Sequence, residues 1–145
     1  MFKKTFYAFA LVAFFATAFA TETSSADLEF VASNWLKLAD TGDENGEWDQ
    51  ASPIFQSHIT RPDWVRTIEN MRHQLGRTIS REVSGVEKKK TLPGMPDGPY
   101  AIVRFKSSFE KLPKATEYVT VIQEKDESWK VVWRASKVSV LLITH

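Results

Sequence analysis

The chain contains no cysteine. Disulfides are therefore excluded, and so is lipid anchoring, because a lipoprotein needs a cysteine at its cleavage site. Stability must come from an ordinary apolar core. Histidine is scarce as well. His58 and His73 are fifteen residues apart on different predicted elements, and His145 is far from both. Zinc needs three or four ligands at close spacing, and neither H-x-x-x-H nor any Cys-His cluster is present, so no metal site is expected. There is no Gly-x-Ser-x-Gly elbow around Ser52 or Ser57 and no glycine-rich phosphate loop ahead of a helix, so neither a nucleophilic serine nor a bound nucleotide cofactor is expected. Charge of one sign is not in excess either. Without Lys3 and Lys4 the chain carries 17 basic and 18 acidic residues, which gives no support for nucleic-acid binding.

Apolar residues are concentrated at the start. Lys3 and Lys4 precede a nearly uninterrupted apolar run from Thr5 to Phe19, and Ala18-Phe19-Ala20 fits the small-x-small cleavage rule. The run is shorter than the ~20 residues of a spanning helix. Residues 1–20 are thus expected to be a signal peptide cleaved after Ala20, and 21–145 a single domain that is periplasmic or secreted. Contact with a membrane is expected only through the signal segment before cleavage.

Beyond it, helical signals come first. Leu28, Val31, Ala32, Trp35, Leu36 and Ala39 form an apolar stripe that predicts a helix from Asp27 to about Asp40. Asp40 to Gly46 reads as a polar break. Ser52-Pro53 opens a short turn of helix, and Thr60-Arg61-Pro62-Asp63 caps a longer one, in which Trp64, Ile68, Met71 and Leu75 share a face and Gly76 ends the helix. Strand-like alternation follows: Arg77 to Glu87 with a bulge at Gly85, Tyr100 to Phe109, Thr116 to Gln123, and Trp129 to Ala135. Glu110 to Lys114 reads as a turn. Along the last strand Trp129, Val131, Trp133 and Ala135 take one side, Arg134 and Ser136 the other, and the phase flips at Lys137. The tail from Val138 to Ile143 is β-prone and uncharged, and has to be paired or buried. Helices followed by about four antiparallel strands define an α+β class. N-terminal helices packed on a curved antiparallel sheet make a cone, by analogy like the nuclear-transport-factor-two-like fold.

A tryptophan followed by Ala51-Ser52-Pro53-x-Phe55, the helix from Trp64 to Leu75-Gly76, Arg77 and Arg81 recur together with Trp35-Leu36-x-Leu38-x-Asp40-x-Gly42-Asp43 and the loop Thr91-Leu92-Pro93-Gly94-Met95-Pro96-Asp97-Gly98-Pro99-Tyr100. In these features the chain resembles a family of small exported bacterial proteins catalogued as domain of unknown function 4019. The resemblance implies a fold and a compartment but no reaction. The tail after the Trp129 strand departs from the family pattern.

Candidate site residues are arginines and aromatics. Arg72 lies one turn from Ile68 and Leu75. Arg81 and Arg104 occupy the less apolar parity of their strands, and Arg104 is expected to share a sheet face with Tyr100 and Lys106, where a guanidinium beside a phenol suits a small anion. Cross-strand pairing of such arginines with Glu82, Glu117 or Glu124 is the plainer account. Arg134 belongs with this group. Asp40 and Asp43 can reach a pocket mouth, although a loop aspartate before a helix is commonly a cap. Of the five tryptophans, Trp35, Trp64 and Trp129 sit on apolar faces, whereas Trp48, beside the polar break, is expected to line a pocket or contact surface. The ligand-binding set is therefore Trp48, Arg72, Arg81, Tyr100 and Arg104. Three functions follow. One is a non-catalytic module binding a small molecule or protein partner. The second is an enzyme of isomerase or dehydratase type using an Asp or His with Tyr100. The third is a homodimer with the tail in its interface.

Overall fold

The computed structural model of the chain describes residues 21–138. The expected signal peptide, its cleavage point after Ala20 and the tail beyond Val138 lie outside the described residues.

Helix α1 (Ser25–Asp40) begins two residues before the apolar stripe implies. Ser24 is its cap: the hydroxyl accepts from the Asp27 amide at 3.2 Å and the Asp27 carboxylate accepts from Ser24 in return. The polar break is shorter than the sequence suggests. Asp43 caps a further helix, α2 (Glu44–Gln50), by accepting from the Gly46 amide at 2.9 Å. This helix escapes a periodicity reading because its buried face is acidic: Glu44 and Glu47 point inward. Helices α3 (Pro53–His58) and α4 (Arg61–Leu75) start where Ser52 and Thr60 cap them. Gly76 ends α4 at φ 72°, its N–H bonded to the Arg72 carbonyl at 2.8 Å. A side chain there is excluded twice over, because an added Cβ would lie 2.8 Å from Glu110 Cβ.

The strands β1 (Thr78–Lys89), β2 (Tyr100–Phe109), β3 (Leu112–Gln123) and β4 (Trp129–Val138) form one antiparallel meander in sequence order. The β1–β2 register shifts between Val83 and Gly85, so the expected bulge at Gly85 is present. The turn between β2 and β3 is only Glu110-Lys111. Pro113 lies inside β3, at the register irregularity opposite Ser107 and Phe109, where its missing N–H removes no regular ladder bond.

On the inner face Ala101, Val103 and Phe105 of β2, with Val119 and Val121 of β3, meet Leu28, Ala32, Trp35 and Leu36 of α1 and Trp64 and Ile68 of α4 in one core. Trp35, Phe55 and Trp64 fill the space between the helices, with ring centroids 4.9–5.9 Å apart. The outer face is covered at one end. There Tyr100, Ile122 and Val132 pack beneath Leu92 and Met95 of the proline-rich loop and Ile54 of α3.

The last strand departs from its expected phase, with consequences for the site. Val131 pairs with Val121 and Trp133 with the adjacent Thr120, so Val132 is an extra residue in β4. This bulge exchanges the two sides of the strand five residues before Lys137, where the alternation places it. Trp133 is turned outward and is 57% exposed, and Arg134 is turned into the cone.

Candidate functional site

Inside the wide end of the cone the apolar core gives way to charge. Glu117 sits in β3 on the parity of Ala115, Val119 and Val121 and is fully buried. One carboxylate oxygen accepts from Arg81 Nε at 2.8 Å and from the Ser107 hydroxyl at 2.6 Å; the other accepts from Arg134 Nη2 at 2.8 Å. Each arginine reaches a second acid. Arg81 Nη1 lies 2.5 Å from Asp40 Oδ2, and Arg134 Nη1 lies 3.4 Å from Glu47 Oε1. Thr78 donates to the other oxygen of Asp40 at 2.8 Å. Glu47 is also fully buried and accepts from Trp64 Nε1 at 3.0 Å. Arg72 pairs with Glu44 and donates to the Ala39 carbonyl at 2.7 Å, closing the C-terminal end of α1 onto α4. Arg134 Nε and Arg81 Nη2 are buried donors without an acceptor among the described residues.

The network opens on a cleft of about 410 Å³ between the ends of α1 and α4 and the sheet. Its walls are Ile68, Met71, Leu75 and Phe109 on the apolar side and Asp40, Arg72, Arg77 and Arg134 on the charged side. Arg134 thus joins three places: it lines the cleft, holds Glu117 and faces Glu47.

The two buried glutamates are driven in opposite directions. Burial acts to raise both. At Glu117 the attraction of Arg134 and Arg81 wins and holds the carboxyl below the usual range. At Glu47 burial wins over the weaker pull of Arg134 and Trp64, and the carboxyl is pushed up to about 8. Between its ordinary value of 4.5 and about 8 the folded protein therefore holds a proton at Glu47 that the unfolded chain has lost. Stability from this group is full below that window, falls as pH rises through it and levels off above it. Glu117 acts with the opposite sign below 4.5, so the two windows do not overlap. We expect urea unfolding at pH 5 and at pH 8.5 to show this decline in the wild type and a flatter profile in Glu47→Gln. Identical pH slopes in the two proteins would mean that Glu47 is ionised throughout.

The structure divides the five expected ligand residues. Arg72 and Arg81 come together around the end of α1, Arg72 on Ala39 and Arg81 on Asp40. The other three lie elsewhere. Trp48 locks the short helices in place: its indole donates to the Ile59 carbonyl at 2.9 Å, and the Arg61 guanidinium stacks 4.9 Å from its ring. Tyr100 shares the outer sheet face with Arg104, as expected, but is buried under the proline-rich loop and donates to the Pro96 carbonyl. Arg104 turns back to Ser84, donating to its hydroxyl at 3.1 Å. The guanidinium-and-phenol site is thus replaced by two local structural contacts. Asp43 is a cap, while Asp40 does reach the cleft. Sequence reasoning missed Glu47 altogether; it named Arg134 among the candidate arginines and Glu117 as a partner for them, but placed neither in the ligand-binding set. Glu117 carried a signal, a lone charge on the apolar parity of an interior strand. Arg134 was hidden by the bulge, and Glu47 by the absence of any apolar stripe in α2. Among the described residues no group of His, Asp and Glu is arranged to hold a metal ion, and no helix is long and apolar enough to cross a membrane.

Four helices packed on a curved, open, four-stranded antiparallel sheet define a cone-like α+β protein. Two solved structures share this fold. A protein from Catenulispora acidiphila superimposes with a TM-score of 0.53 at 11% identity, over 77% of this chain and 88% of that one. ActVI-ORFA from Streptomyces coelicolor does so with a TM-score of 0.50 at 10% identity, over 80% and 95%. At such identity the likeness is one of fold. No curated protein sequence matches the chain. The chain belongs to the family described as protein of unknown function (DUF4019), which matches residues 31–133.

Proposed function

We propose that this is an exported, non-catalytic module that holds a small molecule in the wide end of its cone. The carrying observation is the cleft itself. A volume of about 410 Å³ falls within the range of small-molecule sites, ~300–1,000 Å³, and it combines an apolar wall with a few convergent polar groups. The ion network behind it supports the reading, because buried ion pairs are weak stabilisers compared with packed apolar groups. Export rests on Lys3 and Lys4, the apolar run after them and the Ala18-Phe19-Ala20 site.

Native mass spectrometry of the protein taken from the periplasm tests both parts. The polypeptide mass is expected to begin at Thr21. A further mass that disappears on denaturation is expected in the wild type and absent in Arg134→Leu. A polypeptide that retains residues 2–20 rejects the export reading. A protein that never carries extra mass, however gently it is isolated, rejects the small-molecule reading.

One observation favours an enzyme of isomerase or dehydratase type instead. Glu47 is a carboxyl poised near neutrality, one guanidinium away from the cleft. In that reading Glu47 takes the acid–base role that Tyr100, on the opposite sheet face, cannot share. Conversion of the co-purified molecule by wild type but not by Glu47→Gln would establish it.

A further inference from the structure

The charged wall of the cleft is sided. Arg72, Arg77 and Arg134 line it, whereas the acids paired with them, Glu44, Glu110 and Glu117, do not. Glu44 and Glu117 are buried behind their arginines. Asp40 does line the cleft, but its two oxygens already accept from Thr78 and Arg81. The C-terminal ends of α1 and α4 also meet here, and free carbonyls at such ends would favour a cation. They are taken. The Leu38 carbonyl accepts from the Asp43 amide at 2.8 Å, Ala39 from Arg72 at 2.7 Å, Arg72 from the Gly76 amide at 2.8 Å and Leu75 from the Lys111 amide at 2.9 Å. The guanidinium groups keep unused donors. Among the described residues Arg72 bonds through Nη2 alone, with 40% of its side chain exposed, and Arg77 through Nε and Nη2. A guanidinium donates and cannot accept, so the ligand must bring an acceptor. An ionised acceptor is favoured, because the guanidinium groups at the wall are nearer to it than the acids behind them. Arg72, Arg77, Arg81 and Arg134 are balanced one to one by Glu44, Glu110, Asp40 and Glu117, and Glu47, protonated at neutral pH, adds no charge. That balance suits one added negative charge better than two. The facing wall of Ile68, Met71, Leu75 and Phe109 is apolar.

We propose that the cleft takes an amphipathic monocarboxylate, its head group against Arg72 and Arg77 and its apolar body along Met71, Leu75 and Phe109. The ligand class rests on the small-molecule reading of the same cleft, which by itself leaves the charge of the ligand open.

Octanoate, octan-1-ol and octylamine share one apolar body and differ in head group. Calorimetric titration of the wild type at neutral pH is expected to show octanoate binding about tenfold tighter than octan-1-ol, with octylamine weakest. Arg72→Gln is expected to remove that preference and leave octan-1-ol binding as it was. Arg77→Gln serves in its place if Arg72→Gln does not fold. The two methionines of the described residues locate the probe. Met71 lines the cleft, and Met95 lies on the outer sheet face in a separate groove beside Leu92 and Trp133. In methyl-labelled protein the Met71 resonance is expected to shift on addition of octanoate and the Met95 resonance to stay. Equal affinity for the three probes, a preference for octylamine, no binding at all or a shift at Met95 alone overturns the proposal. Bound mass in native mass spectrometry does not depend on these probes. A wild type that carries such mass without preferring octanoate therefore overturns the ligand class and leaves the small-molecule reading standing.

Discussion

Replacing Glu117 with leucine is expected to destabilise the protein by about 3–5 kcal/mol, the range for breaking a buried ion pair. The carboxylate is fully buried between Arg81 and Arg134, with 10% and 5% of their side chains exposed. Its removal leaves two guanidinium groups facing one another with only Asp40 and Glu47 to hold them. Glu47, pushed up to about 8, is a poor counter-charge at neutral pH. Chemical denaturation reads the loss directly. The triple variant Arg81→Met, Glu117→Leu, Arg134→Met should recover most of it, since well-packed apolar groups commonly match a buried ion pair in stability. That recovery, combined with loss of any co-purified mass, would show that the network is kept for binding. A single variant that costs under about 1 kcal/mol would place the cluster in the class of exposed pairs and remove it from the site argument.

Trp64→Ala is expected to cost about as much, 3–5 kcal/mol, for a different reason. The ring lies 4.9 Å from Phe55 and 5.7 Å from Trp35, so its removal opens a cavity where three helices meet. It also deletes the indole donor on Glu47. Trp64→Phe separates the two effects: it keeps most of the packing and should lose only ~1–3 kcal/mol, the cost of a buried acceptor deprived of its partner. In Trp64→Phe, which keeps the burial, the Glu47 carboxyl should titrate still higher than in the wild type, which carbon-detected NMR of the side chain resolves. A Glu47 titration unmoved by Trp64→Phe would mean that the indole contact contributes nothing to its charge state.

The elements that the sequence announces are those whose physics is local. Ser52-Pro53, Thr60 to Asp63 and Gly76 specify helix ends through their own hydroxyls, rings and missing Cβ, and each is found where these signals put it. Tyr100 to Phe109 alternates without interruption and becomes a strand with those bounds. The family likeness seen in the Trp35, Ser52-Pro53 and Pro93-to-Pro99 segments is confirmed by the match over residues 31–133. The site was less legible because its members depend on partners distant in sequence. Strand alternation offers Glu117 as a partner for the arginines but does not choose among them, and Glu117 and Arg81 are 36 residues apart; Arg134 and Glu47 are 87 apart, and nothing near either records their pairing. Tyr100 and Arg104 do share a face, but a covering loop decides what the face is used for. The one-residue bulge at Val132 inverted an alternation that was otherwise read in the right period.

That bulge makes the pairing of β4 a determinant of its chemistry. The side chains from Arg134 to Lys137 owe their side of the sheet to the single unpaired residue before them. A substitution at Val132 would alter packing at one spot. Loss of Val132 would leave Trp133 on Thr120 and Arg134 on Val119 in an unbroken ladder, with both faces kept. Straightening the strand with Val132 still in the ladder would instead trade the faces, sending Arg134 to solvent and Trp133 into the ion network. The irregularity is therefore what lets a chain whose alternation reads the other way deliver Arg134 to Glu117.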